Sequence, residues 1–593
     1  MKKTILSVAI VVSFLLITPL VSKGENKKSS PKDSTEKTNP FGFLVDLDYG
    51  FHGRTKVHSD FIYKNSLIDA NLSYQYNFDK IQYQATLDRE YESNKLSQEY
   101  ISDNKTTGHD IVAQLKLSPN KNIFKLFFQA TLPNTITDQK ITREGLSPWK
   151  NIIKFNKQSY NAKAGYTRIL SNKENTISVN ASYLKIFNNR PGEYFNNEIS
   201  VGKSYGGFDP NNYKIDIVYK FTPNSSSMAT VAVKSHNRWC DFDYQYDIND
   251  DELFPNKSYY TNASHREFRT IISGEYGNNI TDKFNLGLGI DLEIENTIKN
   301  NSTDYQKYNK VFVLPNLNIS YRFNKQHNIE LNYDRSTEKA KYSLINPSLL
   351  MIDNKTIEIG NFDLKTQTDD FLSIDYNFSP KNLDLGVSLF FNNSSNYITD
   401  YVTFNKNQQL IISYANCKNV YLTGITAAFD WDIFKFLNLS AELVGQYRSS
   451  NGVFNNTNLF ANHFECGGEV SLKIKPEKKT VLAVTSGYMT DQYMPQFIVN
   501  DSYYLDVSIS RTFFKDMLGV KVDVTDILGS YEHTARTYSN QNFKLNHTGS
   551  DDYPMVWLEL IFKLNHRLPT HISNHREAHC AKNLRRLMLG DAK

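Results

Sequence analysis

Short stretches in which apolar and polar residues alternate recur along most of this chain. Between residues 69 and 78, every second side chain is apolar and the ones between are polar. Successive side chains of a β-strand point to opposite sides, so this pattern predicts a strand with one apolar and one polar face. The alternation resumes from residue 81 to residue 88, after Asp79 and Lys80, which predicts a hairpin that turns near Asp79.

The same alternation returns throughout the chain, and tight turns separate its pairs. Further predicted strands lie at residues 177–183, 284–294, 383–391, 437–443, 505–509 and 518–524. The predicted turns lie near Asp79, Asn120, Lys173, Asn224, Thr281, Lys325, Lys381, Phe434, Glu477 and Lys515. The connections between these hairpins are longer and polar. Short turns at one end of the strands and long loops at the other are typical of a transmembrane β-barrel.

The turns also predict how many strands the barrel contains. Ten short turns join twenty strands, and single strands at residues 41–49 and 556–564 bring the total to about 22. This number is even, and both chain ends lie on one side, as a single-chain barrel requires. The sequence therefore predicts an all-β fold, a transmembrane antiparallel β-barrel of about 22 strands over residues 41–565. A propeller is the alternative, but its blades need four strands where each repeat here offers two.

The apolar faces of so many strands need a cover. The sequence predicts no helices that could form a second layer, so lipid is the simplest cover. Outer-membrane lipid and the assembly machinery of that membrane are therefore expected partners. Aromatic residues near the strand ends fit the interface girdles of such barrels, although ordinary packing explains any one of them equally well. These residues are Tyr76, Phe78, Tyr321, Phe323, Tyr376 and Phe378.

The N-terminal segment differs from the rest of the chain. Two lysines precede an apolar run over residues 5–21, and small residues follow it. This arrangement predicts a secretory signal peptide at residues 1–24, with an uncleaved membrane anchor as the alternative. Residues 25–40 are polar and charged, which predicts a disordered lead-in.

The C-terminal segment, residues 566–593, is basic and contains several histidines. His571, His575 and His579 would align on one face of a helix, where they could bind a metal. A disordered tail is the favoured interpretation, so no metal site is predicted.

Charge and motifs narrow the function further. The chain carries a net charge of +4, and its ends, residues 1–40 and 566–593, carry +4 each, which leaves −4 between them. No basic face suited to nucleic acid is therefore expected. The four cysteines show no disulfide framework or metal-site spacing.

Enzymatic chemistry has little support in the sequence. It lacks the H-E-x-x-H, Walker A and paired C-x-x-C motifs. Isolated carboxylates on the face predicted to line the lumen are typical of a solvated wall. They are Asp69, Asp88, Asp291, Glu293, Asp375, Glu442 and Asp506. We expect neither a catalytic site nor a cofactor.

One segment, residues 331–378, resembles the barrel of TonB-dependent receptors of the Bacteroidetes outer-membrane β-barrel kind. In those receptors a strand with Tyr and Arg leads to Asn-Pro, then to a Gly-Asn-x-Asp-Leu-Lys run, and then to an alternating strand. The matching residues here are Tyr333, Arg335, Asn346, Pro347, Gly360, Asn361, Asp363, Leu364 and Lys365. Phe362 and Thr366 stand where that pattern usually has proline. Residues 520–530 also resemble the penultimate strand of these receptors.

The resemblance implies nutrient uptake across the outer membrane of a Gram-negative bacterium. Those receptors carry a plug domain before the barrel, whereas only residues 25–40 separate the signal peptide from the first predicted strand here. We therefore expect a barrel without that plug, whose lumen is blocked by inward loops or by a separate plug or surface lipoprotein. Coupling to TonB stays open. Two other functions also stay open: a non-transporting surface-binding or structural barrel, and a passive diffusion pore.

Residues 342–366 interrupt the alternation within this segment. By the turn count they belong to the seventh outer loop, between strands 13 and 14. We expect strand extensions above the membrane, with Asn346-Pro347 ending one extension and Gly360-Asn361 turning the chain back. The candidates for ligand binding are Asn346, Pro347, Gly360, Asn361, Asp363 and Lys365. A role in shaping the loop is favoured over ligand contact for these residues.

Overall fold

The computed structural model describes residues 41–564, except positions 52, 93, 144, 146, 171–174, 250–257, 303, 455–456, 531, 539–540 and 552–553. The predicted signal peptide, lead-in and histidine-containing tail, including His571, His575 and His579, lie outside the described residues.

The described chain consists almost entirely of β-strands. Its first part contains β1 (Phe41–Gly50), β2 (Arg54–Lys64), β3 (Ile68–Tyr91), β4 (Asn94–Leu117), β5 (Asn122–Thr131), β6 (Asn134–Arg143), β7 (Trp149–Ile169), β8 (Thr176–Asn189), β9 (Gly192–Asn196), β10 (Ile199–Asn224) and β11 (Ser227–Ile248). The middle contains β12 (Ser258–Asn279), β13 (Phe284–Asn301), β14 (Tyr305–Arg322), β15 (His327–Glu338), the helical turn α1 (Tyr342–Ile345), β16 (Leu349–Asp353), β17 (Thr356–Ile359), β18 (Gln367–Phe378), β19 (Leu383–Phe404), β20 (Leu410–Phe434) and β21 (Leu437–Asn451). The last part contains β22 (Val453–Phe454), β23 (Thr457–Asn458), β24 (Ala461–Glu477), β25 (Thr480–Met489), β26 (Gln492–Tyr493), β27 (Phe497–Val499), β28 (Ser502–Phe513), β29 (Leu518–Thr525), β30 (Glu532–Thr537), β31 (Phe543–Asp551) and β32 (Met555–Lys563).

These strands form a closed antiparallel barrel of 22 strands, which confirms the predicted fold and strand number. The first and last strands close it, with Leu47 of β1 opposite Leu560 of β32. Both β5 and β6 pair with β4 and β7, so they form one barrel strand that is interrupted at Pro133. In the same way β8 and β9 form one strand interrupted at Pro191. Both interruptions lie at a proline, which lacks the N–H that a ladder requires. No helix among the described residues is long and apolar enough to span a bilayer.

The predicted hairpin turn near Asp79 is wrong. Strand β3 runs through this position without a break, and Asp79 pairs with Thr106 of β4. The true turn lies between β2 and β3, where Asn65 Oδ1 accepts hydrogen bonds from the backbone N–H groups of Leu67 (2.8 Å) and Ile68 (2.7 Å). The prediction thus contained one false turn, near Asp79, and lacked one true turn, between β2 and β3. The predicted number of strands was therefore still correct.

The other predicted turns lie at strand ends, as expected, except that the one near Lys173 falls on residues that the structure does not describe.

The false turn has a physical cause, because the apolar face of β3 changes side at this point. Leu72 is 48% exposed on the outward face, whereas Tyr83 and Leu87, on the opposite face, are buried. Strand β11 behaves alike: Val231 is 50% exposed, and Phe242, on the other face, is 1% exposed. We call the outward apolar surface the lipid band and the strand portions beyond it the outer rim. At the outer rim the apolar side chains point into the barrel.

This inversion corrects the predicted inward position of Asp88. Asp88 follows the buried Leu87 on an unbroken strand and is exposed on the outward face of the outer rim. Its carboxylate accepts a hydrogen bond from Ser97 Oγ at 2.6 Å.

The wall of the outer rim is completed by loop strands. Strand β2 pairs with β3 only up to Phe78, and β31 takes its place from Tyr83 onward. Strand β31 pairs with β30, β30 with β27, and β27 with β26. The connections after β25 and β29 therefore extend the barrel wall above the short strands β1, β2, β29 and β32.

Candidate functional site

The connection between β15 and β18, residues 339–366, forms an extensively buried loop at the outer mouth. We call it loop 7. The expected strand extensions are wrong: loop 7 contains the turn α1 and the hairpin β16–β17. Strand β17 pairs in parallel with β20, with Thr356 opposite Leu410. The hairpin therefore adds to the inner surface of the barrel and does not rise above it.

The tip of loop 7 is bonded to one side of the barrel. Asp353 is fully buried, and its Oδ2 accepts hydrogen bonds from Gln98 Nε2 (3.2 Å) and Tyr100 OH (3.1 Å), both on β4. Arg89 of β3 donates from NH1 to the Lys355 carbonyl oxygen at 2.9 Å. Asn151 of β7 donates to the Ile352 carbonyl oxygen. Strands β3, β4 and β7 thus hold the tip.

The remainder of loop 7 is bonded to other parts of the wall. The backbone N–H of Met351 donates to Tyr246 OH on β11 at 2.8 Å. Tyr414 OH on β20 donates to Glu358 Oε1 at 3.2 Å. Because β3 and β4 are far from β20 in the strand order of the barrel, loop 7 crosses the lumen and bridges its walls.

A hydrophobic cluster surrounds the tip, and we call it the rim core. It joins loop 7 to inward side chains of the wall and to the connections after β25 and β29. Its buried members are Tyr83, Ala85, Leu87, Tyr100, Ile141, Trp149, Tyr194, Tyr244, Tyr246, Ile248, Leu350, Met351, Ile352, Val402, Leu410, Ile412, Phe497, Phe543 and Leu545. Removing this much apolar surface from water stabilises the closed position of loop 7.

The residues predicted as ligand candidates meet at the base of the hairpin. The N–H of Gly360 donates to the Asn346 carbonyl oxygen at 2.9 Å. The N–H of Asn361 donates to the Leu344 carbonyl oxygen at 2.8 Å. A Cβ at position 360 would lie 2.5 Å from the Asn346 oxygen, so the close approach requires glycine. Asn346 Oδ1 accepts from the N–H of Ser348 at 3.0 Å. These contacts are those of residues that shape the loop.

The remaining candidates lie at the edge of this base. Asn361 Nδ2 donates to the Tyr414 carbonyl oxygen at 2.8 Å, and the N–H of Lys365 donates to Asn416 Oδ1 at 2.8 Å. Pro347 is half-buried within the same turn, and the side chains of Asp363 and Lys365 are exposed. The structure thus brings all six candidates together, but around backbone contacts of the loop itself.

Ion pairs fix the start of loop 7 to the wall. Lys339 Nζ lies 2.8 Å from Glu293 Oε1 and also contacts Glu295, both on β13. Arg238 of β11 donates to the Ala340 carbonyl oxygen and to Glu267 Oε2, each at 2.9 Å. The side chains of Lys339, Glu293 and Glu295 are no more than 6% exposed. These pairs were not predicted, because residues far apart in the sequence form them.

Aromatic packing accompanies these charges. The Arg238 guanidinium lies 5.1 Å from the centre of the Tyr342 ring. Burial raises the pKa of the Tyr342 hydroxyl well above its usual range, so it stays neutral.

Three buried carboxylates form a second cluster, at the closing seam of the barrel. Asp46 and Asp48 of β1 and Glu559 of β32 offer oxygens that lie within 4.8 Å of one another, a donor set that could hold a cation. Lys56 Nζ is 3.9 Å from Asp48, and Lys521 lies directly opposite Glu559 on β29. These two ammonium groups provide the carboxylates with positive charge, as a bound metal cation would.

We expected the sequence to lack the G-x-S-x-G motif of hydrolases, and this expectation is wrong. Residues 202–206 read G-K-S-Y-G, which fits the G-x-S-x-G pattern of hydrolases. That pattern acts at a sharp turn from a strand to a helix, whereas these residues lie within β10. Ser204 Oγ is buried against Tyr194 OH at 3.1 Å. The site therefore lacks the geometry of an exposed nucleophile.

The fold can now be compared with known proteins. Residues 154–561 match the model described as the outer membrane protein beta-barrel family. No curated protein matches the chain.

Solved structures with the same fold include one uptake receptor and two transporters. The ferric yersiniabactin uptake receptor FyuA from Yersinia pestis has a TM-score of 0.62 at 12% identity, over 89% of this chain and 80% of that chain. The copper transporter OprC has a TM-score of 0.61 at 10% identity, over 89% and 81%. The ferric citrate transporter FecA, in its unliganded form, has a TM-score of 0.57 at 12% identity, over 89% and 79%.

At these identities the structural matches establish the fold alone. Together with the family match they confirm the resemblance to the barrels of TonB-dependent receptors. They also confirm the predicted location in the outer membrane of a Gram-negative bacterium.

Proposed function

Because this chain belongs to the outer membrane protein beta-barrel family, we propose that it takes up a solute through a lumen that loop 7 closes. The observation that carries this proposal is the path of loop 7, which crosses the lumen at the outer mouth with a buried tip. The diameter of a barrel grows with its strand number, and barrels this large hold a channel or a plugged lumen. Loop 7 occupies the position in which a plugging element would act.

The mechanism follows from the contacts of loop 7. In the closed position its tip is held by hydrogen bonds to β3, β4 and β7 and by the rim core. Its start is held by Lys339 between Glu293 and Glu295. A solute captured among the outer loops passes when the hairpin β16–β17 leaves this position. The polar inner face of the strands then provides a hydrated path.

Similar proteins support a transport role without assigning it. The structures with this fold include an uptake receptor and two transporters by name, and their low identity speaks for the fold alone. The crossing of loop 7 disfavours a passive diffusion pore, which needs a permanently open lumen. We propose no enzymatic activity and no cofactor.

Conductance in planar lipid bilayers tests the proposal. We expect the full-length protein to show little steady conductance, and a variant with residues 348–359 replaced by a short Gly-Ser linker to show a large one. A matched control replaces only the exposed Lys406 and Asn407, in the connection after β19, with Gly-Ser, and it should behave like the wild type.

The other outcomes correspond to the alternative functions. A large conductance of the wild type would mean a passive pore. Silence of the linker variant, with the barrel folded, would mean a barrel that does not transport.

A further inference from the structure

A cavity of about 360 Å³ lies at the outer rim, between the barrel wall and the tip of loop 7. Four parts of the chain form it: the hairpin in which β3 ends and β4 begins, the connection after β6, the loop 7 tip, and the end of β19 with the connection that follows it. Its lining residues are Arg89, Tyr91, Asn94, Lys95, Leu96, Gly145, Lys355, Phe404 and Gln408. The volume is that of a small-molecule subsite.

Arg89 is the most unusual side chain in this lining. It is 5% exposed, and its NH1 donates to the Lys355 carbonyl oxygen (2.9 Å) and to Thr356 Oγ1 (3.3 Å). Its NH2 is buried and has no hydrogen-bond partner among the described residues. Arg89 also forms no ion pair with any described residue. A buried charge that forms no ion pair is costly, and an anion is a partner that would offset this cost.

Loop 7 also presents a cation to this cavity. Lys355 lies at the loop 7 tip, is partly exposed, and forms no ion pair with any described residue. Lys95, in contrast, is paired with Glu90 at 3.7 Å. The cavity therefore brings together two cations that form no ion pair with a described residue, one on the wall and one on the loop.

The remaining lining combines the polar side chains of Asn94, Lys95 and Gln408 with an apolar and aromatic part. Tyr91 and Phe404 stack with ring centres 4.8 Å apart and an interplanar angle of 8°. Leu96 lies directly opposite Arg89 on β4 and adds to this surface. A ligand that fits here combines a negative group with an apolar or aromatic body.

We infer that this cavity binds the anionic group of a solute, a carboxylate, sulfate or phosphate, between Arg89 and Lys355. The inference rests on the proposed function, since it names the class of solute that would enter the barrel. The guanidinium fork suits such planar or tetrahedral anions because it can donate two hydrogen bonds to them. Arg89 lies on the inward face of β3, so an anion reaches it from the mouth of the lumen and not from the surrounding lipid.

Calorimetric titration of the full-length protein in detergent tests this inference, with phenyl phosphate as the anionic probe and benzyl alcohol as the uncharged one. We expect phenyl phosphate to bind and benzyl alcohol to bind at least tenfold more weakly. Arg89→Gln and Lys355→Gln should each weaken phenyl phosphate binding roughly tenfold or more, as expected for a lost charge-assisted hydrogen bond.

Lys544→Gln is the matched control, because Lys544 pairs with Glu90 at 3.5 Å on the same rim and does not line the cavity. It should leave the affinity unchanged. Heat-modified migration in SDS electrophoresis checks that each variant is folded, and Lys355→Gln keeps the test valid if Arg89→Gln does not fold. Equal binding of both probes, no binding of phenyl phosphate, or equal affinity in Lys355→Gln and Lys544→Gln would overturn the inference. Binding without any conductance of the linker variant would overturn the proposed function alone.

Discussion

The lipid band and the outer rim are built from the same strands, yet their apolar side chains point in opposite directions. In the lipid band, Leu72 and Val231 point outward, where lipid covers them. In the outer rim, Leu87 and Phe242 point inward, where loop 7 and other loops cover them. The rim core therefore resembles the interior of a soluble protein surrounded by a β-sheet. This comparison teaches that a barrel strand can use both of its faces for burial, each at a different height.

The two regions should therefore respond differently to the same kind of substitution. We expect Leu87→Asp to disrupt the rim core, because it removes a buried side chain and leaves a buried carboxylate, at a cost of about 3–5 kcal/mol. Limited proteolysis should then cut the outer loops while heat-modified migration shows an intact barrel. Leu72→Lys should instead lower the yield of folded barrel. A lysine on the lipid-facing surface destabilises a barrel by up to about 4 kcal/mol, depending on its depth in the bilayer.

Asp88, next to Leu87, provides the control for the change of the apolar face along β3. Asp88 faces water outside the outer rim, so Asp88→Ala should change stability by less than about 1 kcal/mol. If Asp88→Ala exposed the loops to protease as strongly as Leu87→Asp, the inverted arrangement of faces would be wrong.

The same inversion explains what could be predicted from the sequence. Period-2 alternation found the strands of the lipid band, because every outward position there meets lipid and must be apolar. It misplaced the turn at Asp79, because a change of phase within one strand looks like the end of one strand and the start of another. Strand β2 was missed since its residues, such as His58 and Asp60, alternate with few large apolar side chains.

The candidate site was only partly predictable. The turn count located loop 7 correctly, between strands 13 and 14, and Gly360 and Asn346 marked its base. Its inward fold depends on partners such as Tyr100 and Tyr246, which are separated from it by a hundred residues or more. No local pattern encodes these contacts. The unpaired Arg89 was likewise invisible, because an arginine near a strand end usually lies in water.

The ion pairs at the start of loop 7 provide the next test of the comparison. Lys339→Met removes the ammonium group shared by Glu293 and Glu295. Glu293 keeps Arg269 at 3.5 Å, whereas Glu295 stays buried without an ion pair among the described residues, which costs on the order of 3 kcal/mol. We expect frequent channel openings in planar bilayers, with the barrel still folded. Lys307→Met, on the neighbouring strand β14, exposed and without an ion pair among the described residues, should stay closed. Equal behaviour of the two variants would show that these pairs do not hold loop 7.

The base of the hairpin should respond more mildly. Gly360→Ala places a Cβ 2.5 Å from the Asn346 oxygen, so the loop must shift, at a cost of about 1–3 kcal/mol. We expect occasional channel openings of the Gly360→Ala variant in planar bilayers. Gly274→Ala is the matched control, because a Cβ there meets no atom within 4 Å. A silent Gly360→Ala channel, indistinguishable from Gly274→Ala, would mean that the close approach does not control the position of loop 7.

The smallest effect is expected at the exposed edge of loop 7. Asp363 and Lys365 match the Gly-Asn-x-Asp-Leu-Lys pattern of the receptor family in sequence. Their side chains are exposed, however, and do not line the cavity at Arg89. Asp363→Asn and Lys365→Gln should therefore leave both the closed conductance and the affinity for phenyl phosphate within about twofold of the wild type. Lys355→Gln, ten residues earlier on the same loop, should keep the channel closed and lose the probe. If Lys365→Gln weakened probe binding as much as Lys355→Gln, the loop would act through its overall charge, and the cavity at Arg89 would not be the binding site.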